Sequence, residues 1–428
     1  MEYTEALNFL DQHVNLEAKA GRIHGLSLNA MEDLAQTMGD PQADFRSIHI
    51  TGTNGKGSVS AIISSLLKAT GLRVGTYSSP HVDTVRERLK INNEMIEEEQ
   101  FGELIAELIP FAESVEERPS YFELLTAAAF LWFSNEAVDV AVIEVGLLGR
   151  FDATNVIEAD VAVVTNVGRD HTDGVGDWRR AVASEKAGII NSGRPLILGE
   201  TSVETLDLFI QENPDPLLLK GEAFGVLSST QAVGGQLVDL WSISGRHEEV
   251  FLPLFGEHQS ENASLALAAV ETFLESPLVD EIIEEGMSEV NLPGRLEVVS
   301  ANPLVVLDGA HNEDAARALA SALPEIFPET RRIVVLGMLG PRDPEEVIKE
   351  IVSLHPEVVI CCTLASERAI TSHELAQTVQ THGVESEIAS DPTEAIERAL
   401  VLSSEEDLIL VTGSFYLLSA TRASLSFD

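Results

Sequence analysis

The sequence holds almost no cysteine. Cys361 and Cys362 are its only two, and they are adjacent. A disulfide framework needs spaced pairs and a zinc site needs several ligands, so neither is expected, and a reducing compartment is. No stretch approaches the roughly eighteen uninterrupted apolar residues of a membrane span, and no charged-then-apolar signal opens the chain. The expectation is a soluble, cytoplasmic protein. Lysine is scarce too, occurring only at positions 19, 56, 68, 90, 186, 220 and 349. Lys and Arg together number 27 against 70 acidic residues, a formal net charge of −43. Such a chain repels phosphate backbones and anionic lipid, which makes nucleic acid and membranes poor partners. Most of the acid reads as a solvated surface. Against that background Lys56 and Lys186 stand out, because each falls inside a motif.

A chain of 428 residues, 44% of them hydrophobic, is too long for one ordinary core, so two domains are expected. The run "RSIHIT" reads as a short strand. "TNGKGS" follows as a glycine-rich loop, then "VSAIISSLLKAT" with apolar residues at helical spacing, then "RVGTYSS" as a second strand. "YFELLTAAAFLWFSNE" reads as a helix. "VDVAVIEV" and "ADVAVVTNV" read as buried parallel strands. "DWRRAVASEKAGII" and "HQSENASLALAAVETFL" read as helices, with a β-rich stretch at about 215–255 between them. "NLPGRLEVV" carries Pro and Gly between two regular regions and marks the boundary. After it strands and helices alternate, beginning with "LVVLD", as in a smaller parallel-sheet domain. The division expected is 1–293 and 294–428.

Strand, glycine loop, helix is the setting of a phosphate-binding loop. The spelling differs from the common one, because only Thr53 and Asn54 separate Gly52 from Gly55, and Gly57 stands between Lys56 and Ser58. Its backbone N–H groups can face phosphate oxygens while Lys56 supplies a mobile charge. Glu144 ends one buried strand, Asp170 and His171 follow another, and Ser79 follows a third. Carboxylate, imidazole and hydroxyl at the C-terminal edge of a parallel sheet lie where α/β enzymes bind ligands, and they suit Mg²⁺ held partly by water and phosphate. Each could equally be an ion-paired or structural residue. Lys186, taken alone, reads as a lysine whose stem lies along apolar surface while its ammonium stays in water. Asp308 and His311 in "LDGAHN" end the first strand of the second domain, which suggests a substrate bound across a cleft.

In order along the chain, "GTNGKGS", "YSSPH" with "ERLKI", "SYFELLTAAAF", "EVGLLGRFDATN", "TNVGRDHTD", "EKAGII", "HQSENA", "PGRLE", "LDGAHN" and "TGSFY" resemble the folylpolyglutamate synthase/dihydrofolate synthase family, a branch of the Mur-type ATP-dependent amide ligases. The resemblance implies an α/β architecture: a P-loop-containing, Mur-ligase-like N-terminal domain and a smaller Rossmann-like C-terminal domain. It implies ATP and Mg²⁺ as cofactors, with L-glutamate and dihydropteroate or a folate as partners, and a monomer. By that resemblance Asn54, Gly55, Lys56, Gly57 and Ser58 hold ATP phosphates, and Asn262, Arg295 and Asp308 contact the nucleotide. Ser79, Glu144 and His171 bind the metal. Lys186 matches the lysine that carries a carbamate. Ser120, Tyr121, Phe122, Phe151, Asp152 and Ala153 fall at the pterin position, and His311 and Ser414 near the incoming glutamate.

Some residues depart from the family's pattern. Leu148 stands where a glycine is usual, Arg169 where an apolar residue is, Leu28 where Arg is common, and Pro341 and Arg342 where Asp and Lys are. A side chain at position 148 is expected to crowd the pterin position and to make the two acceptors unequal. Two other readings remain: a ligase of the wider fold acting on a non-folate carboxylate, and a nucleotide-binding regulator that has lost catalysis.

Overall fold

The computed structural model describes residues 1–15, 27–169, 176–328, 330–340 and 343–425. His171 and Asp170, and the departures at Pro341 and Arg342, lie outside the described residues. The chain forms two compact units. The first comprises Met1–Ala232, Leu237–Pro253 and Gln259–Asn291, and the second Val233–Gln236, Leu254–His258 and Leu292–Asp428.

The first unit is built on a sheet whose eight strands, among the described residues, run in the order Glu94–Met95, Leu89–Ile91, Val74–Tyr77, Val140–Glu144, Arg46–Thr51, Val161–Val164, Leu196–Leu198 and Leu217–Leu219. The six strands from Val74–Tyr77 onward pair in parallel, and the first two close the edge antiparallel. Val140–Glu144 is buried along its whole length, as an apolar strand covered on both faces must be. One face meets the helices Glu98–Ser114 and Tyr121–Asn135, whose apolar residues form a single core with Tyr77, Ala141 and Ile143. The second of these helices is apolar almost all round, which is why it lies inside. The helix Lys56–Ala69 packs on Asp280–Ser288, and Gly286 lets the two approach, since a Cβ there would stand 2.8 Å from the Leu66 Cα.

Register positions the site. Ile50 pairs with Glu144, Tyr77 with Ile143, and Thr51 with Val164. The strands therefore end together, and the glycine loop, the Ser78–Pro80 segment, Glu144 and the Thr165–Arg169 segment leave one edge of the sheet. The loop strand lies between two strands that come later in the chain, so this edge is a topological switch point, where such sheets bind ligands. The β-rich stretch resolves into Leu217–Leu219, which joins the large sheet, and a separate three-stranded sheet of Gly225–Ala232, Gly235–Ser242 and Gly245–Leu252.

The second unit has a six-stranded sheet in the order Glu297–Ala301, Leu304–Asp308, Leu408–Thr412, Arg332–Leu336, Val358–Cys362 and Glu385–Ala389. All pair in parallel except the first. The expectation that "LVVLD" is the first strand here is corrected, because Glu297–Ala301 precedes it and pairs with it antiparallel. That edge strand is short, unevenly buried and interrupted by a register shift at Val298/Ser300, so it carries no clean alternation to read. Leu254–His258 joins this unit for a packing reason: Phe255 lies against its core, 6.4 Å from the Phe327 ring, and the Gly256 carbonyl accepts from Gln236 Nε2 at 3.1 Å.

Candidate active site

The glycine loop is shaped by what a side chain would strike. A Cβ on Gly52 would stand 1.7 Å from Thr165 Oγ1. Gly55 has φ +84°, and a Cβ there would stand 2.6 Å from Asn262 Oδ1, which places Asn262 against the loop. The helix Lys56–Ala69 begins directly after Gly55 with no side-chain cap, so its first amides face the loop's concavity. Lys56 is half-buried, and its Nζ donates to the Gly52 carbonyl at 2.9 Å, folded back over the loop. Ser58 is buried on the helix's first turn.

Glu144 is 2% exposed. Its Oε2 accepts from the Ser79 N–H at 3.2 Å and would lie 3.7 Å from a Cβ on Gly57. The carboxylate, the Ser79 segment and the phosphate loop are thus in contact. Among the described residues no group of three His, Cys, Asp or Glu is assembled. A Mg²⁺ site does not require one, because this ion takes one or two carboxylates and completes its shell with water and phosphate oxygens. Glu144 and Ser79 beside a phosphate loop fit that chemistry.

Lys186 is 3% exposed, so its ammonium does not reach solvent as the isolated reading of its helix suggested. The "GLLGR" turn explains its placement. Gly149 lies against the helix Trp178–Ala187, where a Cβ would stand 2.6 Å from the Glu185 carbonyl and 3.1 Å from the Lys186 Cα. Arg150 donates its N–H to Glu185 O at 2.8 Å and its Nη2 to Ser184 O at 3.1 Å, and it also pairs with Glu212. Asn155 Nδ2 donates to Gly188 O at 3.0 Å. These donors satisfy carbonyls that a helix C-terminus leaves open, and they fix the last turn, which carries Lys186.

The residues expected at the pterin position differ in how they are used. Ser120 caps the helix Tyr121–Asn135, its Oγ accepting from Glu123 N at 3.3 Å. Tyr121 and Phe122 are buried, and Phe122 packs over Gly146. Ala153 is buried, whereas Phe151 is 41% exposed. Asp152 turns inward: Oδ2 accepts from Leu147 N at 2.7 Å, and Oδ1 accepts from Thr154 N at 3.1 Å and Thr154 Oγ1 at 2.5 Å. The Thr154 hydroxyl spends its one hydrogen on Asp152, so His49 Nε2, 2.9 Å away, is the donor to it. Burial pushes Asp152 up to about 6 and His49 down to about 3.

These two groups act on stability with opposite signs. His49 has a depressed folded pKa, so its contribution is whole above the unfolded value of 6.5 and is lost as pH falls. Asp152 has a raised one, so its contribution is whole below 3.8 and is lost as pH rises through about 6. Between pH 7 and pH 5 they offset each other. In Asp152→Asn the Asp152 contribution is gone, and unfolding free energy should fall over that interval by about 1 kcal/mol more than in the wild type. Urea titrations of both proteins at the two pH values check this, and equal falls would contradict it.

Leu148 sits at φ +61°, a left-handed conformation that costs a branched residue about 1–2 kcal/mol. Its side chain is half-buried against the cluster that includes Val145, Val167, Val182 and Ile189, which leaves only part of it to face an acceptor. Its carbonyl accepts from Thr51 Oγ1 at 2.5 Å. In Leu148→Gly, relief of backbone strain opposes loss of packing. Stability should change by less than about 1 kcal/mol, and the ratio of kcat/KM for two acceptors should stay within about threefold. A tenfold shift in that ratio would return Leu148 to the acceptor pocket. Leu28, half-buried, precedes the helix Asn29–Thr37, and Arg169 is exposed after the segment that holds the loop.

In the second unit Asp308 and Thr412 are register partners at one sheet edge, so His311 and Ser414 leave that edge together. Asp308 is buried and accepts from Leu296 N and Ala310 N, both at 2.9 Å; burial raises its pKa and the nearby Arg295 opposes the shift. Arg295 lies over the Phe415 ring at 4.6 Å, and the His311 ring is 6.1 Å from the same ring. Phe415 thus packs against both Arg295 and His311. Sequence reading passed over Phe415, Arg150, Thr165 and Asn166, although each lies inside a quoted motif.

A lysine-bearing glycine loop at the switch point of a parallel sheet, touching a buried glutamate, in a chain that also carries a second, mostly parallel-sheet unit, defines a nucleotide-dependent enzyme of the Mur-ligase class. Residues 50–270 match the family model of the Mur ligase middle domain, and 294–415 that of the Mur ligase glutamate ligase domain. The chain is 30% identical over 434 residues to the dihydrofolate synthase/folylpolyglutamate synthase of Bacillus subtilis, covering 99% of each. Its fold is similar to that of Mycobacterium tuberculosis folylpolyglutamate synthase complexed with ADP, with TM-score 0.90 and 32% identity over 100% of this chain and 98% of that one. It is also similar to a bifunctional folylpolyglutamate synthase/dihydrofolate synthase with Mn, AMPPNP and L-glutamate bound, with TM-score 0.87 and 28% identity over 100% and 98%. The chain belongs to the folylpolyglutamate synthase/dihydrofolate synthase family of Mur ligases, and is an ATP-dependent ligase. Among the described residues, no helix is long and apolar enough to cross a membrane.

Proposed function

We propose that this protein joins L-glutamate to the carboxylate of a pterin-containing acceptor, dihydropteroate or a folate, at the expense of ATP, acting as a cytoplasmic monomer. The observation that carries the reading is the meeting, at one sheet edge, of the lysine loop, Glu144 and the Ser79 segment. A carboxylate is a poor electrophile. Phosphorylation by ATP turns it into an acyl phosphate with a good leaving group, and the glutamate amine then displaces phosphate. The loop amides and Lys56 hold and neutralise the phosphates, with Asn54, Gly55, Gly57 and Ser58 shaping the cradle.

Ser79, Glu144 and His171 are the residues to hold Mg²⁺, which when bound neutralises phosphate charge. Lys186 carries a carbamate in this reading: its ammonium loses a proton, the free amine adds CO₂ and releases a second proton, and the product offers carboxylate oxygens where a cation stood. Asn262, Arg295 and Asp308 serve the nucleotide, and His311 and Ser414 the glutamate. Ser120, Tyr121, Phe122, Phe151 and Ala153 serve the acceptor, while Asp152 keeps that loop in shape. The deciding experiment incubates the protein with ATP, Mg²⁺ and L-glutamate, offers dihydropteroate, tetrahydrofolate and non-pterin carboxylates in turn, and detects product by mass. A glutamyl addition to a pterin acceptor supports the proposal. Addition only to some other carboxylate would move the protein to the wider class of Mur ligases.

A further inference from the structure

We propose that Asn166 is a positioning residue for nucleotide binding: its carboxamide clasps both backbone groups of Asn54 and so sets the orientation of the phosphate loop. This rests on the reading of the loop as a nucleotide site. Asn54 N donates to Asn166 Oδ1 at 3.0 Å, and Asn166 Nδ2 donates to Asn54 O at 3.0 Å. Thr165 Oγ1 donates to the same Asn54 carbonyl at 2.6 Å. On either side the backbone is stitched again. Thr53 N donates to Asn166 O at 3.1 Å, and Gly168 N donates to Thr53 Oγ1 at 2.9 Å.

The physical consequence concerns a carbonyl. A phosphate loop works because its peptide N–H groups converge on oxyanions, and a carbonyl oxygen turned inward would repel them. The peptide after Asn54 leads into Gly55, which sits in a left-handed conformation open to glycine, so its orientation matters to the whole loop. Two donors on the Asn54 carbonyl, from Thr165 and Asn166, hold that oxygen toward the neighbouring strand end. The amides that follow, at the start of the helix Lys56–Ala69, are left facing the phosphates. The clasp has its own support: Glu200, 6% exposed, accepts from Val167 N at 2.9 Å and pairs with Arg179, which anchors the segment from the far side. The same segment runs on to His171, so the clasp also ties the phosphate loop to the stretch leading to an expected metal ligand.

Asn166→Asp is the sharpest test. It keeps shape and the Oδ1 acceptor but replaces the Nδ2 donor by a carboxylate oxygen facing the Asn54 carbonyl. ADP affinity, measured by titration calorimetry with Mg²⁺, should fall about ten- to a hundredfold, the scale of a lost and reversed hydrogen bond at a charged site. KM for ATP should rise with it, while KM for the acceptor stays within about twofold, a split that general loosening of the fold would not produce. Thr165→Val removes one of the two donors at nearly constant volume. It should weaken ADP about three- to tenfold, and it decides the matter if Asn166→Asp does not fold, as judged by thermal melting. Folded variants that bind ADP as tightly as the wild type would overturn the proposal. Wild-type protein that binds no ADP would instead overturn the nucleotide reading itself.

Discussion

Lys56→Ala should lose acceptor-dependent ADP release by about a hundred- to a thousandfold in kcat while remaining folded. Lys56 is half-buried, and its Nζ donates to the loop carbonyls of Gly52 and Thr53, so removing it costs the fold little. Catalysis loses the one side-chain cation that the loop itself contributes. The helix amides and Asn262 remain, so nucleotide should still bind, more weakly. Binding therefore survives better than turnover, and comparing ADP affinity with kcat on the same preparation checks this. Lys56→Arg should not restore rate, because a planar guanidinium is wider than an ammonium and cannot sit over a loop this tight. A folded Lys56→Ala variant that turns over near the wild-type rate would remove the loop from the mechanism.

Lys186→Ala should abolish most ligation as well, for a different reason. The residue is buried under the "GLLGR" turn, on a helix end that Arg150 and Asn155 hold in place. Desolvating an ammonium is costly, and a carbamate held by a metal ion would relieve that cost. With ¹³C-labelled bicarbonate the wild type should give a carbamate carbon resonance that Lys186→Ala lacks. A small added carboxylate should return part of the activity to the variant by occupying the vacated space. Active, CO₂-exposed enzyme without that resonance would leave Lys186 as a packed amine and sink the carbamate.

Much of the fold was readable because its signals are local. "RSIHIT" is a strand, and "KGSVSAIISSLLKA" lies on the helix that follows. What lay hidden depends on partners far along the chain. Asn166 meets Asn54 from 112 positions away, and an amide side chain leaves no periodic trace. Arg150 was passed over because the helix end it caps lies more than thirty residues on. Asp152 reads as a residue presented to a ligand, but its carboxylate is consumed by its own loop. The packing of Leu148 on the cluster around Val145, from a left-handed backbone, is not visible in its motif. The strand Glu297–Ala301 was missed because an exposed edge strand need not alternate.

The common ending of the strands has a bearing on how this molecule can be instrumented. The phosphate loop, the Ser79 segment and Glu144 leave one rim of the first sheet, and the opposite rim carries none of them. Removing a single residue from Arg46–Thr51 would draw the loop back by roughly 3.3 Å and turn every side chain over. The turns on the far rim have no such exactness. Gly71 and Gly193 lie there, each with nothing within 4 Å of where a Cβ would stand. A fluorophore or short peptide inserted beside Gly193 would ride on the molecule at a distance from the chemistry, and its signal could report nucleotide arrival without taking part in it.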